Sequence, residues 1–227
     1  MKTFLRILEP IALALVPIVL VVCIVFGVKQ TALLSALVAL LAIFLAFARF
    51  EAAAVRARDI MPIVVLAALA VVSRLVFVAL PNFMPVSAIV IIAGVSFGRQ
   101  QGFMVGAIAA LVSNMFLGQG HWTPWQMYLW GMMGYGSGAL VSAGLLKLRW
   151  QVVTYGVLAS VVYGIFFDTY HLLAFVHPTS VEMVVSVYLL GIPMTVAHDI
   201  STLLFLLLLY APWSRKITRV KQKYGLA

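Results

Sequence analysis

From Ser113 to Trp130 the chain reads Ser-Asn-Met-Phe-Leu-Gly-Gln-Gly-His-Trp-Thr-Pro-Trp-Gln-Met-Tyr-Leu-Trp, and these residues are the sequence's strongest candidates for recognising a small molecule. Three tryptophans stand beside two glutamines, an asparagine and a histidine. A flat polar ligand needs both stacking planes and hydrogen-bonding groups. Gly118 and Gly120 permit tight backbone turns, and Pro124 stiffens the entry to the following helix. For Trp122 alone, an interfacial aromatic belt is an equal explanation, because Trp and Tyr favour the lipid head-group level. Gln126 and Trp130 are four residues apart on one helical face, with Trp130 about a turn deeper than a belt requires. Asn114, Gln119, His121, Trp122, Trp125, Gln126 and Trp130 are therefore candidate ligand contacts.

Two charges share that side of the chain. At 1.5 Å per residue, Arg74 lies roughly 9 Å below the outer end of its expected helix and Asp168 about 12 Å below the end of its own. A charge at such depth costs several kcal/mol unless it faces the protein interior or water and has a partner. The two could pair, either as a register-fixing ion pair or as the charged floor of a pocket, and the nearby aromatic residues favour the floor. His171 stands three residues beyond Asp168, and His198 adjoins Asp199. Such pairs could relay protons or bind a metal, but no third and fourth ligand has suitable spacing. An interhelical hydrogen bond is the simpler role for Asp199.

The elements that position these residues follow from composition. Hydrophobic residues make up 65% of the 227 positions and charged residues 9%, too few polar groups to cover a water-soluble domain. Uncharged runs of about 20 residues recur from Ile11 to Tyr210, the length of a membrane-crossing helix. Runs such as Leu203 to Leu209 are apolar on every side, which excludes a transmembrane barrel. The expected class is an all-α polytopic membrane protein with spans near 10–28, 31–48, 61–80, 86–98, 102–117, 126–145, 152–176 and 183–211. Residues 86–98 are short for a full crossing. The first span is read as retained rather than cleaved, since no small-x-small site follows it. Cys23 lies within it as a small hydrophobe.

Orientation follows from Lys and Arg, which accumulate in cytoplasmic loops. With both termini inside, Lys2, Arg6, Arg49, Arg56, Arg58, Arg99, Lys147, Arg149, Arg215, Lys216, Arg219, Lys221 and Lys223 are cytoplasmic and Lys29 is outside. The net charge of +9 is then a matter of topology and anionic lipid, with no nucleic-acid partner implied. The chain divides into an Ala/Leu/Val hairpin with its loop (1–59), a six-helix core (60–212) and a basic tail (213–227). Gly94, Gly98, Gly102 and Gly106, with Gly134 and Gly138, carry the four-residue spacing that lets membrane helices approach closely. No phosphate-binding Gly-x-x-x-x-Gly-Lys-Ser/Thr loop is present.

Arg74-Leu75-Val76-Phe77 leading to Pro81-Asn82-Phe83-Met84-Pro85, then Ala93 to Gly98, Gly102 to Gly106, and above all Ser113-Asn114 through Gln126-Met127 resemble the substrate-binding S components of energy-coupling factor (ECF) vitamin transporters. The resemblance covers about Met61 to Pro212. It implies six helices and an outward-facing pocket, to which Asn82 would contribute. It also implies a non-enzymatic role without a bound cofactor, in the cytoplasmic membrane of a prokaryote. Such a subunit hands a vitamin to a membrane T component driven by two cytoplasmic ATPases. The Trp- and Gly-rich outer loop most resembles the cobalamin group. Two features depart from the pattern: the N-terminal hairpin is additional, and Ala67, Ala68, Ala70 and Ser73 supply no Ala-x-x-x-Ala docking face. An ion-coupled secondary transporter, which would favour inverted repeats, and a membrane-embedded enzyme using Asp168, His171, His198 or Asp199 are the alternatives.

Overall fold

The computed structural model describes residues 2–26, 33, 34, 36–41, 44, 57–176 and 179–225. The labelled helices are α1 (Lys2–Val25), α2 (Ala57–Val76), α3 (Val86–Phe97), α4 (Arg99–Leu117), α5 (Thr123–Ser142), α6 (Arg149–His171) and α7 (Val181–Tyr224), with a π-helical turn, Leu172–Val176, after α6. Residues 33, 34, 36–41 and 44 are also helical, and the rest of the expected 31–48 span, with Lys29 and Arg49 to Arg56, lies outside the described residues. No strand occurs among the described residues. The segments Arg99–Leu117, Arg149–Val176 and Val181–Tyr224 are long and apolar enough to cross a membrane, and Glu9–Cys23, Ile60–Val76 and Val86–Phe97 are shorter apolar helices. The chain is an all-α polytopic membrane protein.

Helix α3 has only 12 residues, about 18 Å, and is buried along most of its length. A short helix that is apolar all round belongs in the middle of a bundle, where protein rather than lipid satisfies its surroundings. Gly98 alone separates α3 from α4, at φ 99°, a left-handed conformation that glycine adopts without Cβ strain. The reversal lays α4 and α5 against α3 at backbone contact. A Cβ at Gly94 or Gly102 would fall on the Gly134 carbonyl, and one at Gly106 on the Trp130 backbone. The glycine series is thus a packing surface, and it delivers the Trp130 turn of α5 onto α4.

Several boundaries differ from the sequence expectation for local reasons. Helix α2 stops at Val76 rather than near residue 80, because residues 77–83 wind into tight turns through bonds such as Leu80 N to Phe77 O (2.9 Å), ahead of Pro85. Asn82 takes φ 55° there. At its start α7 is capped by Ser180, whose Oγ accepts from Met183 N (3.4 Å), with Glu182 in the first turn. It then runs 44 residues, about 66 Å and twice a bilayer core, continuing through Pro212. The basic tail is therefore helical as far as Tyr224, and Lys221 Nζ donates to Ser96 O (3.0 Å) beneath the end of α3.

The N-terminal segment, set apart in the sequence, is fastened to the core at its first helix. Glu9 is 2% exposed and forms an ion pair with Arg99 Nη2 (2.9 Å). Gln100 Nε2 (3.2 Å) and Tyr135 OH (2.9 Å) donate to its other oxygen, and Tyr128 OH donates to Leu13 O (2.7 Å). Replacing Glu9 by alanine is expected to cost roughly 1–3 kcal/mol, reduced from a fully buried pair because Arg99 is partly solvated. A lowered thermal unfolding midpoint in detergent, restored in part by Glu9→Gln, is the expected result.

Candidate functional site

The C-terminal ends of α2 and α4 and the N-terminal end of α5 meet through one polar network. Arg74, in the last turn of α2, is 8% exposed. Its Nη1 donates to Ser113 Oγ (2.5 Å) and Asn114 Oδ1 (2.8 Å) on α4. Ser113 spends its own hydrogen on Ala109 O (2.5 Å), so it meets the guanidinium as an acceptor. Asn114 Nδ2 then reaches Thr123 Oγ1 (3.0 Å) and Gln126 Oε1 (2.7 Å) on α5. Thr123 Oγ1 also accepts from Gly120 N (3.2 Å), which ties the loop between α4 and α5 into the same chain of bonds. The Arg74 guanidinium carbon lies 4.8 Å from the Trp130 ring centroid, a cation–π contact.

Arg74 is not paired with Asp168, which corrects the ion pair considered from the sequence. Its charge is met by neutral oxygens and an aromatic face. Asp168 instead rests against Gly191, where a Cβ would overlap its carboxylate, and it borders a cavity of about 170 Å³.

That cavity lies among the turn before α3, α5, α6 and α7. Asn82 and Gln126 line one part of it, Tyr163, Phe167 and Asp168 a second, and Met194, Thr195 and His198 the remainder. Asn82 Nδ2 donates to Met194 O (3.4 Å) and His198 Nε2 shares a hydrogen bond with Ser87 Oγ (2.7 Å), so two walls are held by bonds to α7. Three of the lining residues, Tyr163, Phe167 and His198, carry rings. Tyr163 stacks on Trp130 at 5.7 Å and 10°, and it also meets Phe167 and His198, each at 4.8 Å between ring centroids. Flat rings, amide groups and one carboxylate together suit a planar, polar heterocycle.

The candidate residues sort into two groups. Arg74, Asn114, Gln126 and Trp130 form the network beside the cavity, and Asn82, Gln126 and Asp168 line it. His121, Trp122, Trp125 and His171 belong to an aromatic cluster around Tyr170 and Phe175. His121 Nδ1 is 2.5 Å from Tyr170 OH, Trp125 packs on Phe166 at 4.8 Å, and His171 stacks on Phe175 at 5.3 Å. Trp125 is 1% exposed and serves packing, whereas Trp122 is 38% exposed. Gln119 stands apart, donating to Leu111 O (3.1 Å). Asp199 accepts from Ser160 Oγ (2.6 Å), the interhelical bond expected of it. The four ionisable groups of the enzyme alternative thus divide between the cavity, the aromatic cluster and an interhelical contact.

Sequence reasoning missed Tyr163, Phe167, Met194 and Thr195 as cavity residues and left His198 unassigned. A signal existed: Tyr163 and Phe167 share a face of α6 with Tyr170, and Met194 and His198 are four apart on α7.

The family description "ECF-type riboflavin transporter, S component" matches residues 54–215, well over half of the chain. The family is one of transporters. Among curated proteins and among solved structures there is no significant match. The matched span begins just before α2 and takes in α2 to α6, α7 as far as residue 215, and every cavity residue. By that match the chain belongs to the S components of the ECF-type riboflavin transporter family.

Proposed function

We propose that this chain captures riboflavin, or a vitamin with the same kind of flat heteroaromatic ring, at the outward end of its six-helix core. The observation that carries the reading is the cavity of about 170 Å³ at the end of the Arg74 network, where the rings of Tyr163, Phe167 and His198 stand beside Asn82, Gln126 and Asp168. That volume is below the usual ~300–1,000 Å³ of small-molecule sites, so the cavity has room for a flat ring and would widen to take a whole vitamin. It suits a tricyclic ring better than a corrinoid macrocycle with its nucleotide loop, so the cavity argues against the cobalamin expectation. The family description also names riboflavin.

Delivery would pass to a T component with two ATPases on the cytoplasmic side of a prokaryotic membrane. The exposed face of α2, with Met61, Val64, Val65, Leu69 and Val72, offers an apolar surface for such a contact without the Ala-x-x-x-Ala pattern. The test is uptake of labelled riboflavin by a riboflavin-requiring bacterium that expresses this chain with a T component and ATPases. Uptake above the empty-vector level that disappears without the ATPases is expected, with none for labelled cobalamin. Uptake that persists without the ATPases would favour the secondary transporter, and uptake of cobalamin alone would overturn the substrate.

A further inference from the structure

The network around Arg74 has a direction, because a guanidinium can only donate. The Asn114 atom at Arg74 Nη1 must therefore be the carbonyl Oδ1 (2.8 Å), which leaves Nδ2 as the group turned to α5. Asn114 Nδ2 donates to Gln126 Oε1 (2.7 Å), so the second amide is fixed in the same sense as the first. Gln126 is in turn hydrogen-bonded to Tyr163 on α6. With Oε1 engaged by Asn114, Nε2 donates to the phenol oxygen, and Tyr163 must point its own hydrogen elsewhere. Arg74 also acts electrostatically on this phenol and favours the same sense, oxygen towards the cation and hydrogen away from it.

Gln126 and Tyr163 both line the cavity, so the relay brings donors to that part of its wall. Asn82 is fixed in the other sense. Its Nδ2 donates to Met194 O (3.4 Å), which leaves Oδ1, and Asp168 adds a carboxylate. The cavity is thus polarised, with donors at Gln126 and Tyr163 and acceptors at Asn82 and Asp168. Asn114, which sets the donor side, is buried behind Gln126 and is not itself part of the wall.

We propose that Asn114 is a positioning residue for the ligand: Arg74 fixes its amide, its amide fixes Gln126, and the Tyr163 hydroxyl becomes the donor that a ring carbonyl of the ligand meets. The inference rests on the flat-vitamin reading above and adds the polarity of the site. Asn114→Asp should reverse the relay. Its carboxylate still accepts from Arg74 but cannot donate, so Gln126 turns Nε2 towards α4 and Oε1 towards Tyr163, and the phenol hydrogen is taken up within the protein.

The deciding experiment is a double-mutant cycle read by riboflavin titration. Tyr163→Phe keeps the ring and removes the hydroxyl, so alone it should weaken riboflavin binding about 3- to 10-fold. In the Asn114→Asp background the same substitution should change affinity by less than about 2-fold, because the hydroxyl no longer faces the ligand. Gln126→Glu, which likewise cannot donate to the phenol, replaces Asn114→Asp in the cycle if that variant does not fold or binds too weakly to titrate. If Asn114 only supports the fold, the Tyr163→Phe factor is the same in both backgrounds, which overturns the relay and leaves the flat-vitamin reading intact. A Tyr163→Phe protein that binds riboflavin as tightly as the wild type does the same. Failure of the folded wild type to bind riboflavin overturns both.

Discussion

Replacing Arg74 by alanine is expected to weaken riboflavin binding by about 10- to 100-fold while leaving most of the folded protein intact. Hydrogen bonds to charged groups contribute roughly 1.5–3 kcal/mol, and each 1.4 kcal/mol is a factor of ten in affinity. Arg74 brings its charge to the site with no carboxylate to neutralise it, so its field is available to an acceptor on the ligand. It also orients Asn114, which in turn holds Gln126 on the cavity wall. The fold is less dependent on it, because α3, α4 and α5 are joined lower down by backbone contact between glycines. Arg74→Lys should fall between wild type and alanine, since an ammonium cannot reproduce the planar contact with Trp130 and the paired bonds to α4. Equilibrium titration, with size-exclusion profiles of each variant, checks all three.

Gly134→Val should be more damaging still, with loss of most folded protein. A Cβ there would lie on the backbone of Gly102, and the Gly134 carbonyl already occupies the space beside Gly94. Overpacking a core costs about 1–3 kcal/mol when side chains can shift, and more here because the obstacle is backbone. Separating α4 from α5 would also pull Trp130 away from the Arg74 network. Gly136→Ala, two residues on, is the internal comparison: its Cβ would meet the hydroxyl end of Tyr155, a side chain able to yield. Folded yield by size exclusion should collapse for Gly134→Val and persist for Gly136→Ala.

The broad architecture was legible in the sequence because lipid imposes simple demands. Long uncharged runs gave the helices, the shortness of residues 86–98 was visible from their bounding turns, and the four-residue glycine spacing pointed to close packing. Arg74, Asn114, Gln126 and Trp130 stood out for a related reason, as polar groups at depths where each must find a partner. The partners themselves were less legible. Arg74 and Asp168 sit at similar depths, but depth along a helix does not report which way a side chain faces. Arg74 turns to α4 and Trp130, while Asp168 turns to Gly191 on α7. Tyr163, Phe167 and Met194 were hidden because in a membrane helix an apolar or aromatic residue is equally at home against lipid, core or ligand. Glu9 was overlooked at the edge of a hairpin read as an appendage, and only its three partners on the core reveal its role.

The central claim is that the cavity beside Arg74 and Trp130 binds a flat vitamin. The most direct measurement is titration of riboflavin into the purified, folded chain, following quenching of flavin fluorescence, with cobalamin titrated in parallel by calorimetry. Stacking on aromatic side chains predicts saturable quenching at one riboflavin per chain with submicromolar affinity, and no heat from cobalamin. Flavin fluorescence that stays unchanged through the titration, on protein shown to be folded, would contradict the account.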